Sequence, residues 1–434
     1  MQSLPIKQTY RHKWLAFTGI AIYALLIGFM AINSESVTSS SYVGAMAVSL
    51  FLSSLLPVGA FCNCVFLTIP FTAVLKLPIE AFSFMTLMQL LLIIRTLMSR
   101  VKVNVNFMIG IIFAGIATQI FPTLLFGQTI ANIILLSFNL LTFYCTYKLT
   151  AFGKINVNHA YLSFTVGVLL AGLIALNYGI SVSKIQDYRF SGLWTDANFW
   201  GMFCIIGIIT SLLNGFKRPI TFIILMPIIL VISYLGYLTL SRTFTIVCAL
   251  MILVTSWSYL RKSILGSILV IIIFCVSAYY AFPYAVEIFS ERGFDNDDMT
   301  NGRVESTIRF FEYSLHHFDT LLFGIGYNNI LDFNSIHNIS HVATHNSYAD
   351  IILEFGLLNN LIIFFILGKH IRHVKFLINR LFTLPGIIFC IIIFYMGTLS
   401  MLKYALLYLF AGTFLGKSQY TQFARIKYPL RSDR

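Results

Sequence analysis

Long apolar runs recur along this chain from Trp14 to Leu415 and are separated by short polar segments. Each run approaches the roughly 20 helical residues that cross the hydrocarbon core of a bilayer. Of the 434 residues, 58% are hydrophobic and 10% are charged, whereas about 25% are charged in soluble domains. The sequence therefore predicts an all-α polytopic membrane protein with twelve to fourteen transmembrane helices. The fourteen runs cover residues 14–32, 42–57, 61–77, 81–97, 105–125, 129–147, 159–177, 197–214, 219–235, 238–259, 263–283, 349–368, 382–398 and 401–416.

The distribution of basic residues predicts the orientation of these helices. With a cytoplasmic N-terminus and fourteen spans, 21 of the 29 Lys and Arg residues lie inside and 8 outside, as the positive-inside rule predicts. Both termini are therefore expected in the cytoplasm. Lys7, Arg11 and Lys13 precede a full-length span without a small-residue cleavage motif, so the first helix is expected to be retained.

The net charge of +13 is mostly this topology signal and an affinity for anionic membrane lipid. No basic stretch is interleaved with exposed aromatic residues, which argues against nucleic acid as a partner.

One long segment leaves the membrane on the outer side. Eleven helices are predicted in residues 1–283, then a loop at 284–348, and C-terminal transmembrane helices with a cytoplasmic tail at 349–434. The loop holds nine of the 16 acidic residues and five of the nine histidines. Its segment "GRVESTIRFFEYSLHHF" has apolar residues at positions 304, 308, 311, 315 and 318, a spacing that predicts an amphipathic helix. The next segment, "LLFGIGYNN", predicts a glycine turn.

Two of the eight outer basic residues stand next to predicted helix starts. Arg242 in "YLTLSRTFTIV" lies a few residues inside the outer end of a span, where a charged side chain is costly. It either extends to the head groups or faces a polar cavity that binds an anionic substrate. Arg189 in "DYRFSGLWTDANF" precedes a helix that Asp196 or Asn198 can cap, and its alternative partner is Asp187. Because guanidinium groups bind phosphate oxygens bidentately, two outer arginines indicate a phosphate or pyrophosphate ligand.

The segment "THNSYADIILEFGLLNN" begins as a helix start and ends as a membrane span. Thr344 or Asn346 is the expected cap, and Asp350 and Glu354 lie one turn apart on a common face. The two acids either face a bundle interior as polar residues without a role or support a site at the helix start.

His345 precedes this helix directly. An imidazole titrates near neutral pH, so His345 can accept a proton from a sugar hydroxyl that becomes a nucleophile. The alternative is a loop histidine hydrogen-bonded to a neighbour. Tyr348 lies one turn away and is expected to line the same cavity.

The sequence predicts no metal site. The outer histidines show no HxxxH or HExxH spacing on one helix face. Cys62 and Cys64 form a CxC motif without nearby histidines, and all seven cysteines lie in or beside apolar segments. We therefore expect neither a disulfide framework nor a metal cofactor.

The order of these motifs resembles that of a known superfamily. An outer "YRFSGLWTDANFWG" is followed by "LSRT" at a span start, then "NGR", "FGIGYNN" and "THNSYADIILEFGLL". This succession, over about residues 185–365, resembles the O-antigen polymerases and O-antigen ligases of bacterial surface polysaccharide assembly, the Wzy and WaaL proteins. The resemblance implies a GT-C-like membrane glycosyltransferase of the inner membrane with a periplasmic active site. Such an enzyme takes a glycan from undecaprenyl pyrophosphate and joins it to an acceptor sugar hydroxyl without a cofactor.

The resemblance also implies roles for individual residues. The family's arginines, which hold the pyrophosphate, fall on Arg189 and Arg242, and its catalytic histidine falls on His345. Arg303 is a further candidate for binding the pyrophosphate. The sequence departs from the family at Ala197, where proline is common, which weakens the assignment of the loop that contains Arg189.

Three functions remain open at this point. A polymerase uses a second lipid-linked repeat unit as acceptor and has a chain-length regulator as a candidate partner, whereas a ligase uses the lipid A core. We favour the polymerase. A lipid-linked sugar flippase or other transporter would place substrate charges near the membrane midplane and show repeated halves. Here the charges collect at the outer side, and no internal repeat is visible.

Overall fold

The computed structural model describes residues 6–78, 82–127, 129–180, 189–215, 219–250, 268, 303–340, 346–371, 381 and 383–427. Over these residues the chain forms helices joined by turns, and no β-strand is found among them. The predicted all-α class is confirmed.

The described helices follow the predicted apolar runs closely. The segment predicted as an outer loop, which keeps the name outer loop below, adds three short ones. Their bounds are α1 Ile6–Ile32, α2 Ser40–Leu55, α3 Val58–Thr68, α4 Phe84–Met98, α5 Val105–Phe126, α6 Ile130–Ala151, α7 Val157–Tyr178, α8 Ala197–Gly215, α9 Pro219–Tyr237, α10 242–250, α11 Arg303–His316, α12 Phe318–Phe323, α13 Ile330–His337, α14 Ser347–Ile371, α15 Leu384–Met396 and α16 Ala405–Lys427.

Length and hydropathy identify the membrane-spanning helices. Within the described ranges, seven helices are long and apolar enough to cross a membrane, and four shorter helices are also apolar. This confirms a polytopic membrane protein. The total of twelve to fourteen spans stays a prediction, because residues 263–283 lie almost entirely outside the described ranges. The predicted span 61–77 is shorter than expected, since α3 ends at Thr68 and a 3-10 turn follows at Ile69–Phe71.

The chain divides into two compact units. The first contains α1–α6 and α11–α16, so the helices of the outer loop belong to it. The second contains Pro70–Val74, most of α7, and α8–α10. The predicted division into residues 1–283, 284–348 and 349–434 follows the membrane topology and stays a prediction.

In the first unit, two glycines on α16 allow close contact with α6. A Cβ atom added at Gly412 would lie 2.8 Å from the carbonyl oxygen of Phe143, and one at Gly416 would lie 2.5 Å from that of Tyr147. Glycines four residues apart form a flat surface that a neighbouring helix can approach closely within a membrane. Backbone contact between α16 and α6 therefore depends on these two positions.

In the second unit, aromatic side chains surround α8. Trp194 and Trp200 are 1% and 0% exposed, and the indole nitrogen of Trp194 donates to the carbonyl of Pro70 at 3.0 Å. Gly192 has a φ of +57°, and a side chain there would overlap the Trp200 ring. In the apolar window of α8, 89% of the residues are buried, as expected for a helix that is apolar on every side.

The contact between α16 and α6 gives a testable prediction. We expect Gly416→Ala to lower the free energy of unfolding by about 1–3 kcal/mol, because the added methyl overlaps backbone atoms. Gly110→Ala in α5 is the matched control, because its Cβ meets nothing within 4 Å and alanine favours helix. Thermal unfolding in detergent should show a lower midpoint for the first variant only; equal midpoints would contradict the proposed contact.

Candidate active site

The side chain of Arg189 is fixed within the second unit. It is 8% exposed and donates from Nε to the carbonyl of Thr239 at 2.9 Å and from Nη2 to Oδ1 of Asn198 at 3.2 Å. Both acceptors are neutral, and these two bonds orient the guanidinium. The alternative partner Asp187 lies outside the described residues.

The residue before Arg242 belongs to the same hydrogen-bonded network. Ser241 donates to Oδ1 of Asn198 at 2.7 Å, the atom that also accepts from Arg189, and its hydroxyl accepts from the backbone N–H of Phe244 at 3.3 Å. Ser241 therefore caps α10, and Arg242 is the first residue of that helix. Asn198 thus links the Arg189 side chain to the cap of the helix that Arg242 begins.

The position of Arg242 corrects one expectation. The sequence predicted a span over 238–259 with Arg242 a few residues inside it. Instead, α9 continues to Tyr237 and a turn follows, in which Leu240 has a φ of 49°. Hydropathy does not register this turn, because two of its three residues, Leu238 and Leu240, are apolar. Asp196 is the cap of α8, since its Oδ1 accepts from the N–H of Asn198 at 2.7 Å.

In the first unit, α14 begins where the sequence predicted. Oδ1 of Asn346 accepts from the N–H groups of Tyr348 and Ala349 at 3.0 and 3.4 Å, so Asn346 is the cap. The Tyr348 hydroxyl donates to the carbonyl of Ile393 at 2.6 Å, and the ring is 44% exposed. His345 precedes the cap and lies outside the described residues. Arg303 begins α11, and its side chain also lies outside them.

The two acids of α14 are buried. Asp350 is 2% and Glu354 6% exposed, and they influence each other electrostatically, as expected for carboxyl groups one helical turn apart. The Glu354 carboxyl accepts from the backbone N–H of Asn328, and Lys403 is a further charged group that acts on it. Its second oxygen, Oε2, has no hydrogen-bond partner among the described residues. Burial of a partly satisfied carboxyl is costly, which makes Glu354 a candidate for a role beyond packing.

The predicted glycine turn packs against α14 at a break in that helix. Gly356 has φ 65° and ψ 175° inside α14, a conformation that is essentially confined to glycine. The N–H of Ile325 donates to the carbonyl of Leu353 at 2.9 Å, and that of Gly326 donates to the carbonyl of Glu354 at 3.0 Å. The turn at Gly324 and Gly326 is confirmed, whereas the break at Gly356 was not predicted.

Tyr327 joins this turn to three spans. Its N–H donates to Oε1 of Gln119 at 2.8 Å, and its hydroxyl donates to the carbonyl of Leu402 at 2.7 Å. The hydroxyl also accepts from Asn139 at 2.8 Å, and Asn139 in turn accepts from Gln89 at 2.7 Å. Burial raises the pKa of Tyr327 well above its ordinary value, and nearby Tyr408 and Glu354 add to the shift. The phenol is therefore a neutral donor.

These three amides were missed by the sequence analysis. Gln89, Gln119 and Asn139 are 1%, 0% and 0% exposed, and each lies within a predicted span. A carboxamide in an apolar segment is itself a signal, because it must find a partner there. The sequence alone did not show that the partner is a tyrosine of the outer loop.

A metal site would need several ligand side chains close together among the described residues. Among them, no group of three or more His, Cys, Asp or Glu side chains could hold a metal ion. Two outer histidines, His341 and His345, lie outside those residues, so the expectation of a metal-free site stays a prediction.

A protein-family model described as O-antigen ligase matches residues 226–365. This segment is similar to that family. The match confirms the resemblance to the O-antigen ligase and polymerase superfamily. Six of the seven candidate residues lie within the matched segment, and only Arg189 lies before it. No curated protein matches the chain.

The docked turn gives a second testable prediction. An added Cβ at Gly356 would lie 2.5 Å from the carbonyl oxygen of Leu322, so Gly356→Ala should release the turn. Losing two hydrogen bonds of about 0.5–1.5 kcal/mol each predicts roughly 5- to 150-fold faster exchange of the Ile325 and Gly326 amides. Hydrogen-exchange mass spectrometry of the outer loop measures this rate.

The control for this variant is Gly127→Ala. Gly127 has a similar φ of +67°, but its Cβ would meet nothing within 4 Å. It therefore carries the strain of an alanine with positive φ without the overlap. Unchanged exchange in Gly356→Ala, or an equal change at the turn in both variants, would show that the break in α14 does not hold the turn.

Proposed function

We propose that this protein is a membrane glycosyltransferase that transfers a glycan from undecaprenyl pyrophosphate to an acceptor sugar hydroxyl at the periplasmic side of the bacterial inner membrane. The match of residues 226–365 to the O-antigen ligase family carries this proposal, because members of that family are membrane glycosyltransferase-like enzymes. The apolar helices, which suit a lipid-linked donor held in the membrane, support it.

The proposed reaction is an inverting displacement. The acceptor oxygen attacks the anomeric carbon of the donor, a new glycosidic bond forms, and the bond from that carbon to the pyrophosphate oxygen breaks. His345 accepts the proton of the acceptor hydroxyl. Charge grows on the departing pyrophosphate, and guanidinium groups stabilise such charge when they are oriented in advance. No metal or organic cofactor enters this scheme.

The arginines are assigned to the leaving group. The network around Asn198 holds Arg189 and the start of α10 in a fixed arrangement, which supports a role for Arg189 and Arg242 in binding pyrophosphate. Arg303 is a third candidate at the start of α11. An arginine that is already oriented loses less entropy when it binds phosphate oxygens than one that must first be ordered.

The residues at the start of α14 are assigned to support of the acceptor. Tyr348 is partly exposed and fixed through its hydroxyl, so its ring can line a binding cavity without moving. Asp350 and Glu354 follow on the same helix and are buried. We expect them to support the orientation of the site.

The roles of His345 and Arg242 can be tested together. Loss of the base should lower glycan transfer about 10²–10⁴-fold, and loss of an arginine that stabilises the leaving group about 10²–10³-fold. His345→Ala and Arg242→Ala should therefore abolish long-chain surface polysaccharide while membrane insertion persists. Gel analysis of surface glycan measures the product, and quantitative immunoblotting of membranes measures insertion.

Each of these variants has a control of the same residue type. His337 contacts Tyr313 at 3.3 Å in the outer loop, and Arg309 forms an exposed ion pair with Glu305. His337→Ala and Arg309→Ala should keep normal glycan length. Normal length in His345→Ala would exclude that residue as the base.

Polymerase and ligase remain two candidate activities. We favour the polymerase, with a second lipid-linked repeat unit as acceptor and a chain-length regulator as partner. The ligase is supported by the description of the matched family. A deletion strain separates them on a polysaccharide gel: lipid A core carrying a single repeat unit is the result for a polymerase, and bare core with accumulating lipid-linked polymer is the result for a ligase.

A further inference from the structure

The helix α11 of the outer loop carries an apolar stripe that is exposed among the described residues. Val304, Ile308 and Leu315 are 54%, 51% and 68% exposed. Their spacing of four and seven residues places them on one side of the helix. We call these three residues the loop stripe. It includes three of the five positions that predicted an amphipathic helix.

The stripe is not the face that holds α11 to the protein. That face consists of Ser306, Phe310 and Ser314, which are 0%, 1% and 3% exposed. Phe310 belongs to the apolar cluster that α11 shares with the glycine turn, α13 and the start of α14. Because a separate face anchors the helix, the exposure of the stripe is not a sign of a detached element.

A third face of α11 is polar. Glu305 and Arg309 form an ion pair across one turn, with side chains 64% and 49% exposed, and Glu312 follows on the same side and is exposed. The helix therefore presents a packed face, an apolar stripe and a charged face in succession. A helix immersed in water on both free sides would gain nothing from the apolar stripe.

The apolar surface extends beyond α11. Phe318 on α12 is 65% exposed, and Leu331 and Ile336 on α13 are 59% and 68% exposed. Three neighbouring helices of the outer loop thus each leave large apolar side chains uncovered, which in a soluble loop would promote aggregation.

This surface is continuous with the lipid-facing side of a span. Phe323 of α12 stacks on Phe121 of α5, with ring centroids 4.4 Å apart. Phe121 is 48% exposed, and Leu124, one turn nearer the end of α5, is 77% exposed. Only 33% of the apolar window of α5 is buried, so this side of α5 faces lipid. The loop helices therefore reach the level at which the membrane surface begins.

We propose that α11 lies in the interface of the outer leaflet, with the loop stripe inserted among the lipids and Glu305, Arg309 and Glu312 at the head groups. Amphipathic helices of this kind insert about 5–10 Å into the boundary between head groups and acyl chains. The continuity with the exposed side of α5 selects lipid as the occupant. This proposal requires only that the chain spans a membrane and is independent of the proposed enzymatic activity.

The depth of α11 would also fix the level of the glycine turn, because Phe310 and Ile325 share one apolar cluster. A loop anchored in the interface keeps its turn beside the head groups, where a lipid-linked phosphate must lie. This consequence concerns position only, and a depth measurement tests it without any activity assay.

The experiment places a nitroxide on single cysteines in the full chain, reconstituted in vesicles of phosphatidylethanolamine and phosphatidylglycerol. Ile308→Cys and Leu315→Cys report on the stripe, and Glu312→Cys on the same helix is the matched control. The parent chain, labelled in parallel, gives the background from the native cysteines. Electron paramagnetic resonance then compares collision of each label with oxygen, which concentrates in lipid, and with a water-soluble nickel complex.

The proposal predicts that oxygen contact exceeds nickel contact at both stripe positions, at a depth of about 5–10 Å, and that nickel contact dominates at position 312. Dominant nickel contact at positions 308 and 315 would place the stripe in water and overturn the proposal. Low contact with both reagents would show that protein covers the stripe, through a second copy or another partner, and would overturn it as well.

Discussion

The break in α14 at Gly356 is the constraint on which the outer part of the first unit depends. Backbone groups at membrane depth need partners, because lipid offers none. The carbonyl groups of Leu353 and Glu354 accept from the N–H groups of Ile325 and Gly326 beside this break. The N–H groups of the turn in the outer loop therefore find their hydrogen-bond partners at the point where the span is broken. The opposing glycine, Gly324, leaves room for the two backbones to meet.

Docking of the turn explains the polar residues within the neighbouring spans. Once the turn enters the unit, Tyr327 is fully buried and its hydroxyl and N–H both need partners. Gln119 of α5 accepts from the N–H of Tyr327, and Asn139 of α6 donates to its hydroxyl. Gln89 of α4 donates in turn to Asn139. These amides are costly in an apolar segment, and their cost is offset because each is bonded. The hydrogen bonds among these four side chains therefore favour a single position of the turn.

Much of this arrangement could be predicted from the sequence. The features that were missed are those that hydropathy and capping patterns do not report. Apolar runs predicted the helices, and the caps Asn346 and Asp196 lie at predicted starts because capping depends on local residues. Hydropathy could not show the turn before Arg242, since Leu238 and Leu240 are as apolar as a helix interior.

The packing face of α11 was hidden for a related reason. It uses Ser306 and Ser314 around Phe310, and small polar residues that allow close approach carry no apolar signal. The break at Gly356 depends on contact with Gly324, 32 positions earlier in the chain. A long-range backbone contact of this kind leaves no pattern in the local sequence.

Each unit, taken by itself, contributes one kind of group to the proposed chemistry. In the second unit, neutral acceptors orient Arg189 beside the start of α10, so the local network holds positive charge in place. In the first unit, Asp350 and Glu354 are buried under the start of α14. A displacement at an anomeric carbon needs both kinds of group, because negative charge grows on the leaving pyrophosphate while positive charge grows on the base that takes the proton. The proposed function therefore assigns the arginines to the leaving group and the two carboxyl groups to support of the base.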